Sequence, residues 1–194
     1  MVTQKLIQSI NAIVSLTNEE WLQLLKLTEI KILKKNSYFL REGQVCESVA
    51  FVNNGTLIYF KSLENGDEIT TDFAFDGDWV TDNHSRLNHS PSFINIKAIE
   101  ETELLIIKNN DLFDLFYSIP KLERLGRILI EQAFIKIAQH SIDLQVLSAT
   151  GRYASLLEQY PEILKNIPLH HIANYLGIAP KSLSRIRRQI FKKC

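Results

Sequence analysis

The chain has 194 residues, a mass of 22.3 kDa and 45% hydrophobic residues, a composition that excludes a disordered chain and a size that suits one medium domain or two small ones. Basic and acidic residues number 22 each and cancel, so net charge alone points to neither nucleic acid nor a membrane surface. Their distribution says more: from Ala149 onward eight Lys or Arg face two Glu, a net of +6 that leaves −6 for the preceding part, the footprint of a polyanion-binding segment joined to an acidic body.

The first predicted element is a short helix after Thr17-Asn18-Glu19-Glu20, which has capping-box spacing and is followed by Trp21, Leu24, Leu25 and Leu27. Gly43, Gly55, Gly66 and Gly77 then punctuate the runs Val49 to Val52, Thr56 to Phe60 and Ile69 to Phe75, a pattern of short antiparallel strands closing into a barrel or sandwich. Asn53-Asn54-Gly55, Glu64-Asn65-Gly66-Asp67 and Asp76-Gly77-Asp78 offer the positive φ that tight hairpins need. Asn110 is placed to cap a brief helix through Tyr117, and Pro120 to open a long one running to about Leu147. Ile128, Ile135 and Ile142 fall seven apart on that helix, with Leu125, Leu129, Phe134 and Ala138 widening the apolar face. Such a helix packs on its own β region or pairs with a second copy, and the heptad spacing favours pairing. A new segment starts near Ser148.

The stretch Leu169 to Ile186, LHHIANYLGIAPKSLSRI, carries the most information. Ile172, Leu176, Ile178, Leu183 and Ile186 occupy the apolar places of a helix-turn-helix, Ala173 is small where two helices cross, and Gly177 suits the left-handed turn. Pro180 fits the first turn of the second helix. Lys181, Ser182, Ser184, Arg185, Arg188 and Gln189 remain on its outer surface, hydrogen-bonding groups suited to a major groove, with Arg185 placed for a bidentate contact to guanine. Lys192 and Lys193 read as phosphate contacts. A basic amphipathic helix alone would suggest only a solvated face; the full pattern of apolar places argues for DNA.

The order of these elements, and the stretch Ile172-Ala173-Asn174-Tyr175-Leu176-Gly177 leading to Ser182-Leu183-Ser184-Arg185-Ile186, resemble the cyclic AMP receptor protein and FNR (Crp/Fnr) family of bacterial transcription regulators. The resemblance implies an α+β fold with three parts. Residues 1–118 would form a cyclic-nucleotide-binding-like β-roll (a double-stranded β-helix or jelly roll), 119–148 a dimerisation helix using Leu125, Ile128, Ile135 and Ile142, and 149–194 a helix-turn-helix domain. It places base-reading residues at Lys181, Ser182 and Arg185 and phosphate contacts at His170 and Ser182. It also implies a homodimer on a roughly palindromic double-stranded site, with RNA polymerase as a further partner. His170 and His171, adjacent on a helix, do not face each other and are not a metal pair.

The sequence departs from that family where a cyclic phosphate would be held. Gly77-Asp78-Trp79-Val80 is followed by Thr81-Asp82, and the expected arginine pair is replaced by His89-Ser90-Pro91-Ser92-Phe93. Asp82 would repel a phosphate, so cyclic AMP is not expected, and the pocket reads as degenerate or altered. Thr81, Asp82, Arg86, Ser90 and Ser92 are the residues left to line it for an unknown small effector. Two cysteines, Cys46 and Cys194, exclude a disulfide framework, a four-thiolate zinc site and a four-cysteine iron–sulfur cluster. Single histidines such as His84 and His89 give no haem pattern, and neither cofactor nor metal is expected. With no signal-like apolar start and no apolar run of about 18 residues, the chain reads as cytoplasmic and away from membranes. The DNA-domain wing of the family has no room after the second helix and would be absent or replaced by the segment before Pro168.

A ligand-sensing module acting on a protein partner without DNA is the alternative, but it would not keep the basic and amide groups of the last helix. No nucleophile elbow, phosphate loop or placed acid–base pair suggests an enzyme.

Overall fold

The computed structural model describes residues 4–191. Among these residues the chain divides into two compact units: residues up to Tyr59 together with Phe73–Ala133, and Phe60–Asp72 together with the chain from Phe134 onward.

The first unit opens with two helices, α1 (Gln4–Asn11) and α2 (Asn18–Lys26). α2 starts as its sequence predicts. Thr17 accepts from the Glu20 N–H at 3.2 Å while the Glu20 carboxylate accepts from the Thr17 N–H at 2.6 Å, two terminal donors satisfied reciprocally. The β region follows as β1 (Glu29–Leu33), β2 (Tyr38–Leu40), β3 (Ser48–Asn54), β4 (Leu57–Ser62), β5 (Glu68–Ala74) and β6 (Trp79–Val80). A short helix, α3 (Asn83–Asn88), then leads into β7 (Asn95–Ala98) and β8 (Thr102–Lys108). The strands form two four-stranded sheets, ordered β1-β8-β3-β6 and β2-β7-β4-β5.

This order corrects the reading of the glycine turns. Only the turn at Gly66 joins neighbouring strands, β4 and β5. Gly55 and Gly77 instead carry the chain from one sheet to the other, β3 to β4 and β5 to β6. At Gly55 φ is +110°, and a Cβ there would stand 2.5 Å from Thr102 Oγ1 and 2.8 Å from the Glu101 carbonyl, so the crossing needs glycine for both conformation and space.

β8 shows how the unit is glued. Its run Leu104-Leu105-Ile106-Ile107 alternates sides: Leu104 and Ile106 join Leu33, Ala50, Val52, Leu57, Ile96 and Ala98 in one core, while Leu105 and Ile107 join Phe51, Leu6, Ile10, Leu24, Leu115 and Leu122 in another. Burial on both faces explains why the segment reads as a continuous apolar run.

After β8 come α4 (Asn109–Ser118) and α5 (Pro120–Val146). Asn110 does not cap α4. The helix begins at Asn109, two residues earlier than an Asn110 cap implies, with Lys108 in the cap position and no side-chain cap bond, and Asn109 is buried with its amide donating to the Cys46 carbonyl at 3.2 Å. α5 begins at Pro120 as expected, and its chain divides at Ala133 between the two units. Leu125 lies in the core of the first unit, 4% exposed, because the opening turns of α5 pack within that unit. It presents nothing to a second copy.

In the second unit, Ser148 caps α6 (Ala149–Gln159) through its hydroxyl and is followed by α7 (Ile163–Asn166), α8 (Leu169–Tyr175) and α9 (Pro180–Phe191). The segment before Pro168 contains one helical turn, and no strand follows β8 among the described residues, so that segment does not supply a wing. Nor is any helix among them long and apolar enough to cross a membrane.

Candidate nucleic-acid interface

α8 and α9 are joined through Leu176 to Ala179, and the turn takes the form its residues predict. Gly177 sits at φ +64°, its N–H donates to the Asn174 carbonyl at 3.0 Å, and the Ile178 N–H donates to the Ala173 carbonyl at 3.0 Å. Ile172, Ala173, Leu176, Leu183 and Ile186 are buried, which fixes one face of each helix against the rest of the unit. Arg152 locks the turn to the end of α5: its Nε donates to the Leu176 carbonyl at 3.0 Å and its Nη1 to the Leu147 carbonyl at 2.8 Å. One of the eight basic residues behind the +6 count is thereby structural.

The outer face of α9 stays open. Lys181, Arg185, Arg188 and Gln189 are exposed and Ser182 and Ser184 half-buried. No carboxylate pairs with Lys181, Arg185 or Arg188 among the described residues, and their spacing of four and three puts them along one stripe of the helix. The Ser184 hydroxyl is engaged with its own helix, donating to the Pro180 carbonyl at 3.0 Å, which leaves only its acceptor side available. Lys192 and Lys193 lie outside the described residues.

The paired histidines differ in exposure, although their rings lie with centroids 4.0 Å apart, closer than the expectation that adjacent helical side chains do not face each other. His170 is exposed. His171 is 5% exposed, its Nδ1 lies 3.0 Å from the hydroxyl of buried Thr70, and it has no surface to offer a phosphate. This contact belongs to a clasp that the sequence does not announce. Three alternate residues of β5 hold the C-terminal helices: the Glu68 carbonyl accepts from the Asn174 amide at 2.7 Å, Thr70 meets His171, and Asp72 pairs with Lys136 at 2.6 Å. Burial disfavours the Lys136 charge, but Asp72 and Tyr160 outweigh it and raise its pKa. His140 stacks on Tyr175 with ring centroids 4.1 Å apart, and burial lowers the His140 pKa while raising that of Tyr175. The signal for the clasp is long-range; only the period-two spacing 68, 70, 72 hints at it.

On α5, Ile135 and Ile142 are 66% and 52% exposed and Ile128 is half-buried, so these three heptad positions remain as a surface stripe, with Phe134 and Val146 also exposed.

The residues assigned to an effector all fall between β6 and β7. The Thr81 hydroxyl donates to the Ser48 carbonyl at 3.0 Å and lies 3.4 Å from Cys46 Sγ. Asp82 caps α3, accepting from the N–H groups of His84 and Ser85 at 3.0 and 3.3 Å. The Ser92 hydroxyl closes its own turn with Ile94. Arg86 is buried. Ser85, which sequence reasoning passed over, ties this connection to the roll: its hydroxyl accepts from the Cys46 N–H at 2.8 Å and donates to the Ser90 carbonyl at 2.5 Å.

Residues 30–118 match the sequence profile of the cyclic nucleotide-binding domain. The chain is 24% identical over 165 residues to the transcriptional activator protein Anr of Pseudomonas protegens, covering 79% of this chain and 67% of that one. It is 26% identical over 167 residues to the fumarate and nitrate reduction regulatory protein of Escherichia coli K12, covering 80% and 66%. The chain therefore resembles regulators of the Crp/Fnr type. Its matches span about two thirds of those relatives' own length. In fold, this chain is similar to FixK2 from Bradyrhizobium japonicum, with a TM-score of 0.74 at 18% identity over 86% of this chain and 85% of the other. The jelly-roll unit and the helix-turn-helix thus occur here in the order that the sequence resemblance implies.

Proposed function

We propose that this chain is a DNA-binding transcription regulator that works as a homodimer, with α9 of each copy entering a major groove. The observation that carries this reading is the outer stripe of α9, where Lys181, Arg185 and Arg188 stand in solvent without an acidic partner among the described residues, on the second helix of a well-packed helix-turn-helix. The relatives named as transcription regulators support it. The exposed stripe of Ile135 and Ile142 on α5, with Ile128 beside it, supports pairing with a second copy. Two-fold symmetry then gives half-sites about 34 Å apart.

In this reading the β-roll does not take cyclic AMP. His89-Ser90-Pro91-Ser92-Phe93 stands where the family resemblance places the phosphate-binding arginine pair, the Ser92 hydroxyl is used within its own turn, and the Asp82 carboxylate already accepts from the His84 and Ser85 N–H groups of α3. Negative charge there opposes a second anion.

The test is selection of bound duplexes from a random DNA pool by purified protein, with a salt titration on the winner. The expected result is an inverted repeat whose affinity falls steeply with salt. Failure to enrich any sequence, with or without added cell extract, overturns the reading. Ile135→Glu should convert dimers to monomers in sedimentation and abolish binding to the full repeat.

A further inference from the structure

The second unit keeps two polar groups in the seam between α6 and α9. Tyr153 of α6 is fully buried, and its Oη has no hydrogen-bond partner among the described residues. Arg187 of α9 lies beside it: its Nε is likewise buried without an acceptor, and its charge draws the Tyr153 pKa back down against the larger upward effect of burial. The approach falls short of a hydrogen bond. No carboxylate pairs with Arg187 among the described residues. A tyrosine and an arginine left unsatisfied in such a seam cost stability relative to an apolar pair of similar volume, so packing alone does not account for them.

The head of Arg187 is not enclosed. The residue as a whole is half-buried, and of its nitrogens only Nε is both buried and unpartnered, so the terminal Nη pair stands at the surface of α9. Its place on the helix gives that head a direction. At about 100° per residue, Arg187 lies about a third of a turn from the stripe of Lys181, Arg185 and Arg188, on the side of Ser184, three residues before it. A helix lying in a major groove points its central stripe at base edges and its flanks at the groove walls, which are phosphate backbone. The three stripe residues are exposed and must be ordered on binding, whereas Arg187 already has its stem fixed against Tyr153. A guanidinium held in this way presents a fork of N–H groups to a phosphate without the entropy cost of ordering a free side chain.

We infer that Arg187 is a phosphate anchor on the flank of α9, held by Tyr153 as its positioning residue, and that it fixes the register of the helix on DNA while Lys181 and Arg185 meet base edges. This assignment rests on the reading of α9 as the groove-entering helix and adds a backbone contact that the sequence pattern hides. Position 187 directly follows buried Ile186 and reads as the margin of the apolar face.

The experiment measures binding of the duplex recovered by selection, and of a scrambled duplex, across a salt series, beside thermal unfolding of the free full-length protein. Arg187→Met should lose affinity by the same factor on both duplexes, with the slope of log affinity against log salt flatter by about 0.9, and should unfold at the wild-type midpoint or above it. Arg187→Lys keeps the charge and should keep the slope while binding several-fold more weakly, since it lacks the fork. Tyr153→Phe should stay folded, keep the slope and lose affinity by a smaller factor than Arg187→Met. Lys34→Met removes one exposed charge of the first unit and should leave the slope at its wild-type value. A wild-type slope in Arg187→Met, a loss confined to the selected duplex, an equal change of slope in Lys34→Met, or a midpoint for Arg187→Met well below wild type would each overturn the anchor, the last by making Arg187 a structural residue. Wild-type affinity in Tyr153→Phe would overturn the positioning role of Tyr153. A wild type that binds neither duplex overturns the DNA reading and the anchor together, whereas a wild type that binds while Arg187→Met matches it overturns the anchor alone.

Discussion

The two helices of the helix-turn-helix both carry polar residues, and they use them in opposite ways. α8 turns His171 and Asn174 onto β5, where they bond to Thr70 and to the Glu68 carbonyl. α9 leaves Lys181, Arg185 and Arg188 in solvent with no acidic partner among the described residues. The contrast teaches that residue type does not separate structural from functional polarity; whether the group is satisfied within its own chain does. β5 is an edge strand, and capture of its open carbonyl by Asn174 also removes a group that would otherwise be free to pair with another strand.

The strongest way to break the comparison is Leu183→Ala. Leu183 is buried on the inner face of α9, and its truncation should cost about 2–5 kcal/mol in denaturant unfolding of the C-terminal unit, with DNA binding lost as well. Arg185→Ala should act on one side only: about 1–3 kcal/mol of DNA affinity with relaxed preference at a single base pair, and an unchanged unfolding midpoint. An equal loss on every DNA sequence would make Arg185 a phosphate contact instead.

On the other side, a double-mutant cycle of Thr70→Val and His171→Phe should return a coupling of about 1 kcal/mol in unfolding, while the salt slope of DNA binding stays that of wild type. A flatter slope would show His171 reaching phosphate after all. The smallest effect concerns pH. Burial lowers the His140 pKa from its ordinary 6.5, so the unfolded chain takes up the proton first as pH falls. The contribution of His140 to stability is complete above about pH 6.5 and declines as pH falls below it toward the folded value. His140→Phe keeps the stack on Tyr175 and should flatten the stability profile between about pH 7.5 and 5.5; an unchanged profile would place the acid sensitivity elsewhere.

Local signals read correctly where the cause is local. The Thr17–Glu20 box, Pro120 at the head of α5, Ser148 at the start of α6 and the positive φ of Gly177 each follow from residues within a few positions of one another. α1 escaped notice because Leu6 and Ile10 are its only buried anchors over eight residues, too short for periodicity to stand out. Asn110 suits a cap by residue type, yet with Asn109 buried against Cys46 the helix starts two residues earlier than an Asn110 cap implies. Leu125 has the same apolar chemistry as Ile135 and Ile142, and nothing in the heptad distinguishes a residue facing its own core from one facing solvent.

By itself the sequence determined that a capped helix precedes strands with glycine turns, that a long proline-headed helix follows them, and that a basic helix-turn-helix comes after it, because caps, turns and amphipathic periods act over a few residues. Only the tertiary structure decided that Gly55 and Gly77 cross between sheets while Gly66 closes a hairpin, since all three need the same positive φ and sheet membership is set by distant partners. It also decided that His171 is structural while His170 is exposed, and that Arg86 lies buried without a carboxylate partner among the described residues. Burial and pairing are properties of residues brought together from far apart, and no local pattern encodes them.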